Sequence, residues 1–99
     1  MARYDVFVGT SEGSYLLDVQ TDLIDYLKTR VVVPLLPSGS TPPPIRKLNP
    51  VFEINGRKVV MATHLLATVP ISELGESRLN LTKHHDEIVG ALDMLFQGF

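Results

Sequence analysis

Val51-Phe52-Glu53-Ile54, then Asn55-Gly56, then Arg57-Lys58-Val59-Val60-Met61 is the stretch whose reading decides the fold. Two β-prone runs flank an Asn-Gly pair. A two-residue hairpin loop of type I′ needs positive φ at both central positions, and Asn followed by Gly meets that demand at low steric cost. The stretch therefore predicts an antiparallel hairpin. Upstream, Val31-Val32-Val33-Pro34-Leu35-Leu36 sets three β-branched residues in a row and predicts a strand. Pro34 has no N–H to give to a ladder, so this strand is expected at a sheet edge or with a bulge. Tyr4 to Val8 alternates, with Tyr4, Val6 and Val8 on one face. Tyr15-Leu16-Leu17-Asp18-Val19 follows after the loop Thr10-Ser11-Glu12-Gly13-Ser14 and is its expected hairpin partner. Leu65 to Ile71 is apolar and extended, with Pro70 again pointing to an edge. Five or six short strands with tight turns in about 70 residues predict a small, strongly bent β-barrel.

Between the strands, Thr21-Asp22-Leu23-Ile24-Asp25-Tyr26-Leu27 reads as a loop with one helical turn. Asp22 and Asp25 are expected there as turn or cap residues. Pro37-Ser38-Gly39-Ser40-Thr41-Pro42-Pro43-Pro44 is a compositional break, stiffened by its prolines towards extended geometry. Too few residues flank it for two independent cores, so it is an exposed loop and residues 1–99 form one domain.

The last segment is a helix. Thr82 is its expected N-cap, and Asp86 and Glu87 lie early, where the macrodipole favours acids. Ile88, Val89, Leu92, Leu95, Phe96 and Phe99 follow helical spacing along one face. Met94 lies off that stripe, Asp93 flanks it, and Gly90 in mid-helix suits a close approach by another backbone. Met94-Leu95-Phe96-Gln97-Gly98-Phe99 finishes the chain without a polar tail. An apolar terminus of this kind either closes the core or is presented to a partner. Gly98 weakens the helix there and lets Phe99 turn away.

Composition narrows the classes of function. The chain has 99 residues, 44% hydrophobic and 20% charged, which fits a globular protein with a modest core. Its net charge is −2 and its nine basic residues are scattered, so no phosphate-tracking stripe is present. It has no cysteine, which removes disulfides, thiolate catalysis and Cys-zinc sites and suits a reducing cytoplasm. No apolar run reaches the ~20 residues of a membrane span, and Met1-Ala2-Arg3-Tyr4-Asp5 does not read as a signal peptide.

Catalytic signatures are lacking. His84 and His85 are adjacent on a helix, so they point about 100° apart and cannot share a metal ion. His64 stands alone, and no metal or cofactor is expected. There is no Gly-x-Ser-x-Gly, phosphate loop or His-Glu-x-x-His. An RNA-cleaving site needs less: Arg30 with Thr29, or Arg3 with Asp5, would suffice in principle. Both pairs read more simply as solvated charges at strand ends.

Several stretches together resemble the CcdB family of toxin-antitoxin toxins. They are Asp18-Val19-Gln20-Thr21-Asp22-Leu23-Ile24-Asp25; Arg30-Val31-Val32-Val33-Pro34-Leu35; Leu48-Asn49-Pro50; Met61-Ala62-Thr63-His64 with Ala67-Thr68-Val69-Pro70-Ile71; and Ala91-Leu92-Asp93-Met94-Leu95-Phe96-Gln97-Gly98-Phe99. They run in the family's order over nearly the whole chain. The resemblance implies a mainly β fold with one C-terminal helix, an SH3-like small barrel of the CcdB/MazF kind, assembled as a homodimer. It implies a toxin without enzymatic activity that binds the A subunit of DNA gyrase and traps the gyrase–DNA cleavage complex. It further implies a CcdA-like antitoxin, repression of the operon only through the toxin–antitoxin complex, a role in plasmid maintenance, and a bacterial cytoplasmic location.

The family's gyrase-contacting positions fall on Thr21, Leu23 and Ile24 and on Asp93, Phe96, Gln97, Gly98 and Phe99. Gly90 and Met94 are the expected dimer contacts. Two departures stand out: Gln97 replaces a Trp of the best-known member, and the usually aliphatic last residue is Phe99. Gln97 leaves open a CcdB-like protein without gyrase activity that serves as antitoxin partner and co-repressor, and the shared barrel leaves open a MazF-like ribonuclease toxin.

Overall fold

A computed structural model describes residues 2–99. Among them seven strands form one sheet: β1 (Asp5–Val8), β2 (Tyr15–Asp18), β3 (Thr29–Pro37), β4 (Val51–Ile54), β5 (Arg57–Met61), β6 (Ala67–Pro70) and β7 (Leu79–Asn80). One helix, α1 (His85–Gln97), follows. The main path runs β4-β5-β3-β2-β1-β7, and β6 pairs separately with β3. The sheet is a half-barrel with α1 against one face.

The Asn-Gly hairpin forms as its sequence dictates. Asn55 has φ 52° and Gly56 φ 76°, and β4 pairs β5 from Val51 opposite Val60 to Ile54 opposite Arg57. β1 and β2 form the second expected hairpin. Alternation in β1 is only partly as expected: Val6 and Phe7 are both buried, while Val8 is exposed. The register explains this. Val6, Leu17 and Val33 lie opposite one another on the face that carries the apolar core. Phe7, Asp18 and Val32 belong to the other face, which is also covered at this point.

Pro34 is not at an edge, and its strand is the hub of the sheet. One side of β3 pairs β2 through Val32 to Leu35. The other side pairs β6 through Thr29 to Val32 and β5 through Leu35 to Pro37. Pro34 sits where the partner changes. Its carbonyl accepts from Ala62 N–H at 2.9 Å, and a strand residue's amide nitrogen faces the same side as its carbonyl. The missing donor therefore faces the gap between β5 and β6, where no ladder bond is due. The other expected edge is present: β6, with Pro70 at its end, pairs β3 alone.

The helix start is displaced from the expected one. Thr82 opens a single 3-10 turn, Thr82–His84, and does not cap α1. Its N–H instead donates to Asn80 Oδ1 at 2.8 Å, so the side chain of Asn80 takes the capping role as the chain leaves β7. Ile88 and Ala91 of α1 are fully buried against the core, joined by Leu92. Tyr4 Oη and His85 Nδ1 share a 2.6 Å hydrogen bond, and the Phe52 and His84 rings meet at a tilt of 49° with their centres 4.8 Å apart. Two of the three histidines thus serve to dock the helix. Tyr4 does so from a left-handed backbone conformation, φ 72°, and burial pushes its phenol above its ordinary pKa.

Gly90 does not meet a backbone of its own chain: a Cβ built there has no atom within 4 Å.

Candidate functional site

Helical periodicity carries the apolar stripe of α1 out of the core. Ile88 and Ala91 face inward, but from residue 96 to 99 every position is exposed. Phe96 is 70% exposed and Phe99 69%. The terminus is presented and does not close the core. Gly98 has φ 82° and its N–H donates to Met94 C=O at 3.1 Å, a left-handed cap that ends the helix at Gln97. The same turn redirects the chain at Phe99.

Gln97 is exposed and does not reach outward. Its Nε2 donates to Asp93 Oδ1 at 3.2 Å, one helical turn back, so these two expected contact residues form one polar patch. Asp93, Met94 and Gly90 are half-buried.

The second group of expected residues lies on the segment between β2 and β3, exposed throughout from residue 21 to 28. Thr21 Oγ1 accepts from Leu23 N–H at 3.3 Å and caps the 3-10 turn Asp22–Ile24. Leu23 is 87% exposed and Ile24 also faces solvent. Beside them Tyr26, 77% exposed, is an aromatic to which the sequence alone gives no role. No hydrogen bond among the described residues joins this segment to the end of α1.

Beneath the segment lies an ion cluster that departs from the sequence-based expectation. Arg30 is not a solvated charge at a strand end: it is fully buried, and its Nε donates to the equally buried Asp18 Oδ2 at 2.7 Å. Its Nη2 donates to Gln20 C=O at 3.3 Å and reaches Asp22 Oδ1 at 3.5 Å. Its Nη1 has no partner among the described residues. Burial pushes the Asp18 carboxyl up, against the pull of Arg30 and the Gln20 N–H. Burial acts to lower the Arg30 pKa, but Asp18 and Asp22 outweigh it and hold the guanidinium above its ordinary value. A pair sealed in this way is closed to substrate, so Arg30 with Thr29 offers no open site for RNA cleavage. A signal was present: two nearby acids, Asp18 and Asp22, faced by one Arg in an otherwise β-branched run.

An apolar cavity of about 230 Å³ lies under the proline loop, lined by Leu36, Pro42, Pro43, Ile45, Val60 and Leu65. Asn49 reaches its wall, but its polar atoms are engaged with Ile45 N–H and Met61 C=O. Among the described residues no cluster of three His, Asp or Glu is arranged to hold a metal ion.

The β half-barrel displays apolar side chains at a helix end and on a capped loop. The family model for the CcdB protein matches residues 3–98, and the chain belongs to the CcdB family. Members of this family are toxins without enzymatic activity. No helix among the described residues is long and apolar enough to cross a membrane.

Proposed function

We propose that the protein is the toxin of a type II toxin–antitoxin pair that binds the A subunit of DNA gyrase and holds the enzyme on cleaved DNA. The observation that carries this reading is the exposure of Phe96 and Phe99 at the end of α1, where the core has no use for them. Large exposed aromatics on a rigid element are the usual anchors of protein interfaces. Leu23 and Ile24, held out by the Thr21 cap, form the second part of the contact surface, with Asp93, Gln97 and Gly98 beside the aromatic anchors on α1. Poisoning of this kind is a population shift: the toxin binds one gyrase conformer better than the others and needs no chemistry. A CcdA-like antitoxin competes for the toxin, and the pair represses its own operon; the setting is the bacterial cytoplasm.

Purified protein incubated with gyrase, ATP and supercoiled plasmid, then treated with detergent and protease, is expected to leave linear DNA. Deletion of residues 97–99 is expected to remove that product. A folded wild-type protein that yields no linear DNA with its host's gyrase overturns the reading. The engagement of Gln97 by Asp93 favours one alternative in that event, a family member that has lost gyrase binding and acts as antitoxin partner and co-repressor.

The active form is proposed to be an SH3-like homodimer with Gly90 and Met94 at a contact between helices. Gly90 has room for a methyl group within its own chain, and Gly costs ~1 kcal/mol against Ala in a helix interior. Gly90→Ala is therefore expected to raise the melting temperature of dilute protein by roughly 4–8 °C. It is also expected to weaken self-association in sedimentation equilibrium. Unchanged association places Gly90 outside the dimer contact.

A further inference from the structure

We propose that Gln20, Asp22 and Arg30 are positioning residues whose polar cluster, buried at Gln20 and Arg30 and half-exposed at Asp22, fixes the shape of the Leu23 and Ile24 contact loop before any partner arrives. This rests on the gyrase reading for the use of the loop, but not for its shape.

Residues 21–28 are exposed without exception, so the segment has no apolar anchor of its own. Such a segment samples many conformations unless polar ties hold it. Here the ties come from below. Arg30, rooted on the central strand β3 and gripped by Asp18, donates to Gln20 C=O and to Asp22 Oδ1. The Gln20 side chain, itself buried, clasps both sides of the loop. Its Oε1 accepts from Val31 N–H at 3.1 Å, and its Nε2 donates to Ile24 C=O at 3.3 Å. Asp22 Oδ1 accepts in addition from Arg3 N–H at 2.9 Å, which ties the loop to the start of β1. The start, middle and return of the segment are thus each bonded to a fixed element. The side chains of Leu23 and Ile24 project from a frame held by backbone and polar groups alone.

An ordered contact loop strengthens binding because apparent affinity scales with the fraction of molecules already in the competent shape. Freeing the loop so that it is competent a tenth of the time lowers affinity about tenfold without loss of a single contact group.

Amide hydrogen exchange on the full chain reads loop order directly. Asp25 N–H bonds Asp22 C=O and Leu27 N–H bonds Ile24 C=O, so both amides exchange only when the loop opens. Asp22→Ala removes two ties at a half-exposed side chain and leaves the Arg30–Asp18 pair in place. It is expected to speed exchange at Asp25 and Leu27 about tenfold, with amides of β2 and β3 unchanged, and to weaken binding to the gyrase A subunit by a similar factor. Asp22→Asn keeps the accepting oxygen and is expected to restore both. Gln20→Leu is expected to act as Asp22→Ala does; should it fail to fold, the two Asp22 variants decide. Unchanged loop exchange in Asp22→Ala overturns the proposal, as does faster exchange with undiminished binding. If the wild type does not bind gyrase, the gyrase reading fails, while the exchange rates still decide whether the cluster positions the loop.

Discussion

Replacing Phe96 and Phe99 together with alanine is expected to abolish gyrase-dependent linear DNA and to leave the melting temperature unchanged. Both rings are largely in water, so their removal takes little from the folded state, within about 0.5 kcal/mol. At an interface the same rings are anchors, and truncation of an anchor costs at least ~2 kcal/mol, or about thirtyfold in affinity each. The two positions are not equivalent to Gln97. A Gln amide already bonded to Asp93 brings less apolar area than the Trp of the family's best-known member, so the aromatic contact is expected to have moved in part to Phe99. Phe99→Ala is accordingly expected to weaken binding more than Gln97→Ala. Calorimetric titration of the single variants checks the order; an inert Phe99→Ala beside a dead Gln97→Ala would sink the idea.

Asp18→Ala is expected to cost ~3–5 kcal/mol of stability, because it leaves the Arg30 guanidinium buried and unpaired. Domains of this kind have about 5–15 kcal/mol in total, so the variant is expected to sit near its unfolding threshold. Arg30→Met is expected to be comparably severe for the opposite charge. The double variant Asp18→Val with Arg30→Met removes both charges and refills the site with apolar volume; its cost is expected to fall well below the sum of the single changes. Urea denaturation of the three variants measures this. Additive losses would show that the two groups do not act as a pair. The Nη1 of Arg30, without a partner among the described residues, is consistent with a cluster kept for geometry more than for stability.

Local chemistry is legible in the sequence, and long-range placement is not. The Asn55-Gly56 turn, the Thr21 to Leu27 turn and the helical face of α1 each follow from a few neighbouring residues. Pro34 defies the edge rule because that rule assumes one partner strand along each side, and β3 changes partner at this residue. Thr82 resembles a cap because Asn80 lies in β7, a two-residue strand with no periodicity to detect. Arg30 reads as solvated because it is an ordinary charged residue until the register of β2 and β3 brings it to the covered face that holds Asp18. As for the contact surface, spacing alone leaves Phe99 free to point in or out. The left-handed cap at Gly98 and the exposure of residues 96–99 settle that, and only the cap has a local signal.

The switch of partners at β3 has a kinetic side. Three of the six β-pairings pass through this strand, and two of them, with β5 and with β6, close long loops onto residues 29–37. The local hairpins around Asn55-Gly56 and between β1 and β2 close first and cheaply, on the microsecond scale typical of such turns. They then wait for one another until β3 docks between them. Because Pro34 leaves a gap in the ladder, the two ends of β3 are free to zip separately, one onto β5 and the other onto β6. The transition state for folding is thus expected to have the leading half of β3 and its trailing half formed to different extents, with Pro34 as the boundary between them.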